Sequence, residues 1–167
     1  MKIAQKIVLV GALFLSFFSA GATAGQDAEI LFSATLTNLE GKPMPLAPFR
    51  DKPLIINFWA RWCVPCRDEF PELIALRAKY AKQGLTVLGI ALEDDSAKVR
   101  EFLAAYKIDY PVALAREQGL DLIRATGNAE ALLPYTLIIN RQGEIVLNKY
   151  GRFSQSDFEA VARRLWR

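Results

Sequence analysis

The sequence predicts an α/β domain in which helices cover both faces of a central sheet and an antiparallel hairpin closes the chain. Three patterns predict it. PLIINFW (53–59) and LTVLGIAL (85–92) are short, nearly continuous apolar runs, as strands buried on both faces require. Between them Phe70, Leu73, Ile74, Leu76, Ala78 and Ala81 recur at helical spacing. Later, YTLIIN (135–140) and IVLNKYG (145–151) flank Arg141-Gln142-Gly143-Glu144, which reads as a hairpin turn.

The elements follow in order. LFSATLTN (31–38) alternates and runs into Glu40-Gly41-Lys42, so a strand and turn are expected, with a partner strand near Met44 to Leu46. The helix after the first buried run is expected over Arg67 to Gln83, kinked by Pro71 and stopped by Gly84. Ser96 can cap a helix running to about Tyr106. YPVAL (110–114) precedes a short helix near Leu120 to Ala125. Ser156 to Trp166 places Phe158, Val161, Ala162 and Leu165 on one helical face.

At 167 residues, 52% of them hydrophobic, the chain is long enough for one well-buried core without cross-links. The N-terminus has Lys2 and Lys6, an apolar run from Ile7 to Phe18, and small residues ending in Ala22-Thr23-Ala24. That order is expected of a secretory signal over residues 1–24, with the domain over 25–167; a retained membrane anchor is the competing expectation. The formal charge is +3, and without Lys2 and Lys6 it is 19 basic against 18 acidic residues, or +1. So even a balance offers no basic stripe for nucleic acid.

Both cysteines lie in FWARWCVPCRDEFP (58–71), as Cys63 and Cys66. A bridge across so short a loop removes little entropy from the unfolded chain, so a structural disulfide would stabilise little. Zinc needs about four ligands, and the chain has no histidine; a Cu(I) site using both thiolates stays open. A thiol–disulfide couple needs only this spacing, at the start of a helix after a buried strand. Backbone N–H groups there, with Arg61 and Arg67, favour a thiolate at Cys63. Cys63 is therefore the expected attacking sulfur and Cys66, one turn on, the resolving one. Pro65 fits the first helical turn and stiffens the loop. Trp59 is expected in the core, and Trp62 over the sulfur.

FWARWCVPCRDEFPEL (58–73), together with LLPYTLIINRQGEIV (132–146), resembles the TlpA/ResA/DsbE group of extracytoplasmic thioredoxin-like thiol:disulfide oxidoreductases, from about Phe32 onward. The resemblance implies a thioredoxin-like fold: a mixed sheet flanked by helices on both faces, an N-terminal β-hairpin, and a strand–helix insertion within about Ala97 to Gly127. It implies a cis Pro134 after Leu133, facing the disulfide in a substrate-docking loop with Trp62, Val64 and Pro65. A proline just before a buried strand is also where a cis bond is tolerated. Thioredoxin itself keeps a buried Asp where this chain has Asn57; the group instead carries a Glu at the position of Glu69. A partly buried Glu69 would have a raised pKa and take the proton of the resolving thiol. Asp68 and the trio Glu93-Asp94-Asp95 are expected to face solvent. Arg61 and Tyr135 depart from the group's usual residues, and both are expected beside the docking surface.

The implied activity is reduction of disulfides in exported clients by dithiol exchange, without a cofactor. By resemblance the clients are apocytochrome c or copper-centre assembly proteins, and the reductant is a membrane thiol transporter of the DsbD/CcdA type. The protein is expected in the periplasm, as a monomer, touching the membrane only through a possible N-terminal anchor. Two other classes stay open. A disulfide-forming oxidase of the DsbA kind usually has a His between its cysteines and a large helical insertion, both lacking here. A Cu(I) chaperone of the Sco kind uses a longer cysteine spacing and a distant His. A peroxiredoxin would want Thr where this chain has Ala60.

Overall fold

The computed structural model describes residues 28–166. The leader expected over 1–24 and the first residues of the expected domain lie outside the described residues. Seven strands form one mixed sheet: β1 (Thr35–Thr37), β2 (Pro43–Pro45), β3 (Leu54–Trp59), β4 (Thr86–Ala91), β5 (Val112–Leu114), β6 (Tyr135–Ile139) and β7 (Ile145–Tyr150). Their spatial order is β2-β1-β5-β4-β3-β6-β7, which is a thioredoxin-like arrangement. β3 runs parallel to β4, and β4 to β5, while β6 lies antiparallel to β3 and to β7. The N-terminal hairpin pairs Leu36 with Met44, as expected, and joins the sheet through Thr37 opposite Leu114.

Among the described residues there are six α-helices: α1 (Glu29–Phe32), α2 (Val64–Arg67), α3 (Phe70–Tyr80), α4 (Ser96–Ala105), α5 (Arg116–Ala125) and α6 (Gln155–Leu165). Every residue of β3 is buried because both faces are covered. On one side Ile55 and Trp59 meet Phe70 and Leu73 of α3, Val99 of α4 and Phe158 of α6. On the other, Leu54, Ile56 and Phe58 meet Leu31 of α1 and Leu122 and Ile123 of α5. Trp59 stacks on Phe102 at 5.2 Å between centroids and meets Phe70 edge-on at 5.4 Å. Such aromatic pairs are worth about 0.5–1.5 kcal/mol each beyond their buried area. Between β4 and β6, where a strand–helix insertion is expected, the chain forms α4, β5 and α5.

Four local expectations are corrected. Leu31 and Phe32 are helical, so the first strand is confined to 35–37; their side chains fill the second core instead of alternating across a strand. The helix expected over 67–83 is broken, not kinked. Pro71 has no N–H for the carbonyl of Arg67, so α2 ends there and α3 restarts at Phe70, with Gly84 at φ 85° closing the stretch after a 3-10 turn. Asp95, not Ser96, caps α4 by accepting from the Lys98 N–H. Finally, α5 begins at Arg116, a turn ahead of the start expected near Leu120; exposed Arg116, Glu117 and Gln118 carry no apolar period that would mark this turn in the sequence.

Candidate active site

The break between α2 and α3 shapes the site. β3 ends at Trp59 in the middle of the sheet, and the chain then turns through Ala60 to Trp62 into Cys63, the N-cap of α2, whose N–H donates to the Ala60 carbonyl. Cys63 and Cys66 are joined as a disulfide, with Cα atoms 5.4 Å apart. Cys66 is fully buried and Cys63 4% exposed. Around them the apolar rim is open: Trp62 is 69% exposed, Val64 63%, and Pro65 is exposed as well. The helix that Cys63 caps is only four residues long, so a helix macrodipole adds little to what its backbone N–H groups supply.

The second motif reaches the same end of the sheet. Phe58 of β3 faces Tyr135 of β6, so Pro134 lies level with the end of β3 from which the cysteine loop departs. The Leu133–Pro134 peptide is cis, and the Pro134 carbonyl accepts from Gly151 N–H at 3.0 Å. Leu133 is half-buried against both cores. Leu132, 54% exposed, extends the apolar rim and was not singled out from the sequence, although a second leucine beside Leu133 in a loop was a signal. Buried Asn128 holds this loop from both sides, donating to the Leu132 carbonyl at 2.8 Å and accepting from its N–H at 3.2 Å. No local pattern announces that role.

Two charged or polar residues sit where the sequence did not put them. Tyr135 is fully buried, not beside the docking surface: its ring lies against Phe58 and its hydroxyl donates to the Thr126 carbonyl at 2.6 Å. Glu93, expected in solvent, is 8% exposed and clamps the cysteine loop, accepting from the Arg61 backbone N–H at 2.8 Å and from its guanidinium at 3.0 Å. The Arg67 guanidinium closes the clamp on the Arg61 carbonyl at 2.8 Å. Glu93 therefore both positions Trp62 and Cys63 and offsets the positive charge of Arg61. Glu93→Gln keeps the shape and removes the offset; it is expected to cost about 1–3 kcal/mol and to let Cys63 alkylate at lower pH in the reduced protein. An unchanged alkylation profile contradicts the electrostatic half of that statement.

Glu69 occupies the gap between α2 and α3 and points inward. It is fully buried, more than the partial burial expected. One carboxylate oxygen accepts from Asn57 Nδ2 at 2.5 Å and the other from the Phe153 N–H at 2.8 Å. Burial raises its pKa to about 7, against the lowering effect of those two hydrogen bonds and of Arg152. Asn57 also donates to Thr136 Oγ1 at 3.0 Å, tying β3 to β6 beneath the site. The site thus combines a disulfide with one shielded sulfur, an apolar rim, and a buried carboxyl near half-ionisation at neutral pH. Asp68 is exposed, as expected. Among the described residues no three His, Cys, Asp or Glu side chains group as metal ligands.

Known proteins fit this geometry. The Redoxin family model matches residues 20–163. The thiol-disulfide oxidoreductase ResA of Halalkalibacterium halodurans is 31% identical over 139 residues, covering 83% of this chain and 77% of the relative. ResA of Bacillus thuringiensis subsp. konkukian is 26% identical over 162 residues, covering 95% and 91%. The crystal structure of a thiol:disulfide interchange protein of the thioredoxin family from Chlorobium tepidum superposes with a TM-score of 0.65 at 29% identity, over 80% of this chain and 92% of that one. The chain belongs to the Redoxin family and is a thiol-disulfide oxidoreductase of the ResA/DsbE type built on the Cys63–Cys66 couple.

Proposed function

We propose that this oxidoreductase works outside the cytoplasm, in the periplasm, as a reductant of disulfides in exported clients, with residues 1–24 as its export signal or anchor. The observation that carries the reading is the fully buried carboxyl of Glu69, three residues after the fully buried Cys66. A strong oxidant stabilises its reduced, thiolate form with positive charge or a His. This chain has no His, its Arg61 is matched by Glu93, and a buried carboxylate disfavours a second negative charge nearby. Those features favour the disulfide over the thiolate and so a low potential.

The steps follow from the arrangement. Reduced Cys63 attacks a client disulfide; its sulfur bonds to one client sulfur and the other leaves as a thiolate. The client backbone lies along Leu133–Pro134, with Trp62, Val64, Pro65 and Leu132 as the apolar rim. Glu69 takes the Cys66 proton, and Cys66 then attacks Cys63, forming the intramolecular disulfide and releasing the client dithiol. No cofactor takes part. A membrane thiol transporter of the DsbD/CcdA type restores the dithiol, and clients of the apocytochrome c or copper-centre assembly kind need such a donor.

The test is direct reduction of an oxidised Cys-X-X-Cys-His peptide of the haem-attachment type by the stoichiometrically reduced protein. We expect its complete reduction, slowed about tenfold or more by Trp62→Ala through lost apolar contact. Failure to reduce the peptide while the same protein oxidises dithiol peptides would overturn the direction of the reading.

A further inference from the structure

β4 is buried from Val87 to Ala91, yet it contains Gly89 at its centre, where a strand loses packing and gains chain entropy to freeze. The neighbourhood accounts for the glycine. A Cβ there would meet the Trp59 indole Nε1 at 3.0 Å, Val112 Cγ2 at 3.1 Å and Tyr110 Cε2 at 3.3 Å. Asn57 is the cross-strand partner of Gly89, on the same face of the sheet, and Thr136 continues the row. Three of the residues around this glycine each carry a side-chain polar atom without a protein partner: Asn57 Oδ1, Trp59 Nε1 and the Tyr110 hydroxyl. All three residues are more than nine-tenths buried. An orphaned buried polar group costs about 1–3 kcal/mol, so three at one glycine call for a common partner.

Donors and acceptors match one small ligand. Trp59 Nε1 can only donate, Asn57 Oδ1 can only accept, and the Tyr110 hydroxyl can do either. A water molecule accepts from the first, donates to the second and bonds the third, within the two to four partners that buried waters make. We propose that Asn57, Trp59 and Tyr110 hold one internal water among their unpartnered polar atoms, beside Gly89, and that Trp59 and Tyr110 act through it as positioning residues for Glu69. The chain of bonds runs from the indole N–H to the water, from the water to Asn57 Oδ1, and from Asn57 Nδ2 to the Glu69 carboxylate at 2.5 Å. Each bond polarises the next, so the water strengthens the Asn57 donor and favours the ionised carboxylate that can take a proton. Glu69 in turn adds to burial in holding the Tyr110 phenol protonated and well above its ordinary range. The link to proton transfer rests on the role proposed for Glu69; the water site does not.

Two measurements test it on the oxidised and reduced whole domain. A high-resolution crystal structure is expected to show a water within hydrogen-bond distance of at least two of the three atoms, and a dry site overturns the proposal. Tyr110→Phe gives an independent sign. With a bound water, removing the hydroxyl takes a partner from it, and Tm falls by about 2–4 °C. Without one, the change only removes a desolvated orphan, and Tm rises, which also overturns the proposal. For the coupling, the pH midpoint of Cys66-dependent product release is expected to rise by about half a unit in Tyr110→Phe. If Glu69→Gln removes that midpoint but Tyr110→Phe leaves it in place, the coupling is wrong and the Glu69 role stands. If Glu69→Gln leaves the midpoint unchanged, the Glu69 role fails and the coupling fails with it, while the water is still decided by the crystal structure and the sign of the Tm change.

Discussion

Cys63→Ser abolishes disulfide exchange, whereas Cys66→Ser leaves the first half of the reaction and stops the second. A serine hydroxyl is not a nucleophile toward sulfur near neutral pH, and Cys66 is fully buried, so no other group can take over the attack. With Cys66→Ser, Cys63 still opens the client disulfide but the intramolecular resolving sulfur is gone. Release then depends on an external thiol and slows by roughly 10²-fold or more, because an oriented neighbour is replaced by a diffusing one. Non-reducing electrophoresis should show a mixed disulfide accumulating with Cys66→Ser and none with Cys63→Ser. The opposite pattern would exchange the roles of the two cysteines.

Glu69→Gln carries the second large effect, in rate and in stability. Losing a positioned proton acceptor is expected to slow product release about 10²-fold at neutral pH. Its stability signature has a definite sign. The folded-state pKa of about 7 lies above the ordinary carboxyl value of 4.5, so the native state holds this proton more tightly than the unfolded one. Stability is therefore greatest below about pH 4.5, falls as pH rises through about 7, and is flat beyond. A rise of about 2.5 units at 1.36 kcal/mol each makes the loss about 3 kcal/mol. Urea titrations from pH 4.5 to 8.5 should show that decline in the parent and not in Glu69→Gln. A parallel decline in both would mean that another group is responsible.

What was legible in the sequence is local. The apolar runs at 53–59 and 85–92 need no partner to be read, since burial on both faces leaves its mark on every residue. The cysteine spacing and Pro134 are likewise visible one segment at a time, although their approach to each other came only through the resemblance. What was not legible depends on which distant residues the topology brings together. Glu93 looks like one acid in a run of three, and only the parallel pairing of β3 with β4 brings it under the Arg61 loop. Tyr135 follows a docking-loop residue by one position, but a strand alternates its side chains, and this one turns into the core against Phe58. Leu31 and Phe32 alternate weakly enough to pass for a strand; they are helical where α1 packs against α5, which periodicity cannot reveal. Gly89 reads as an ordinary small residue in an apolar run until Tyr110, Trp59 and Asn57 are seen around it.

The central claim, that this site is a reductant, is tested most directly by the reduction potential of the Cys63–Cys66 couple, measured against a dithiol buffer at pH 7 on the domain without residues 1–25. The account predicts a value near or below about −270 mV, in the range of thioredoxin; a value near about −120 mV, that of a strong disulfide-forming oxidase, would contradict it.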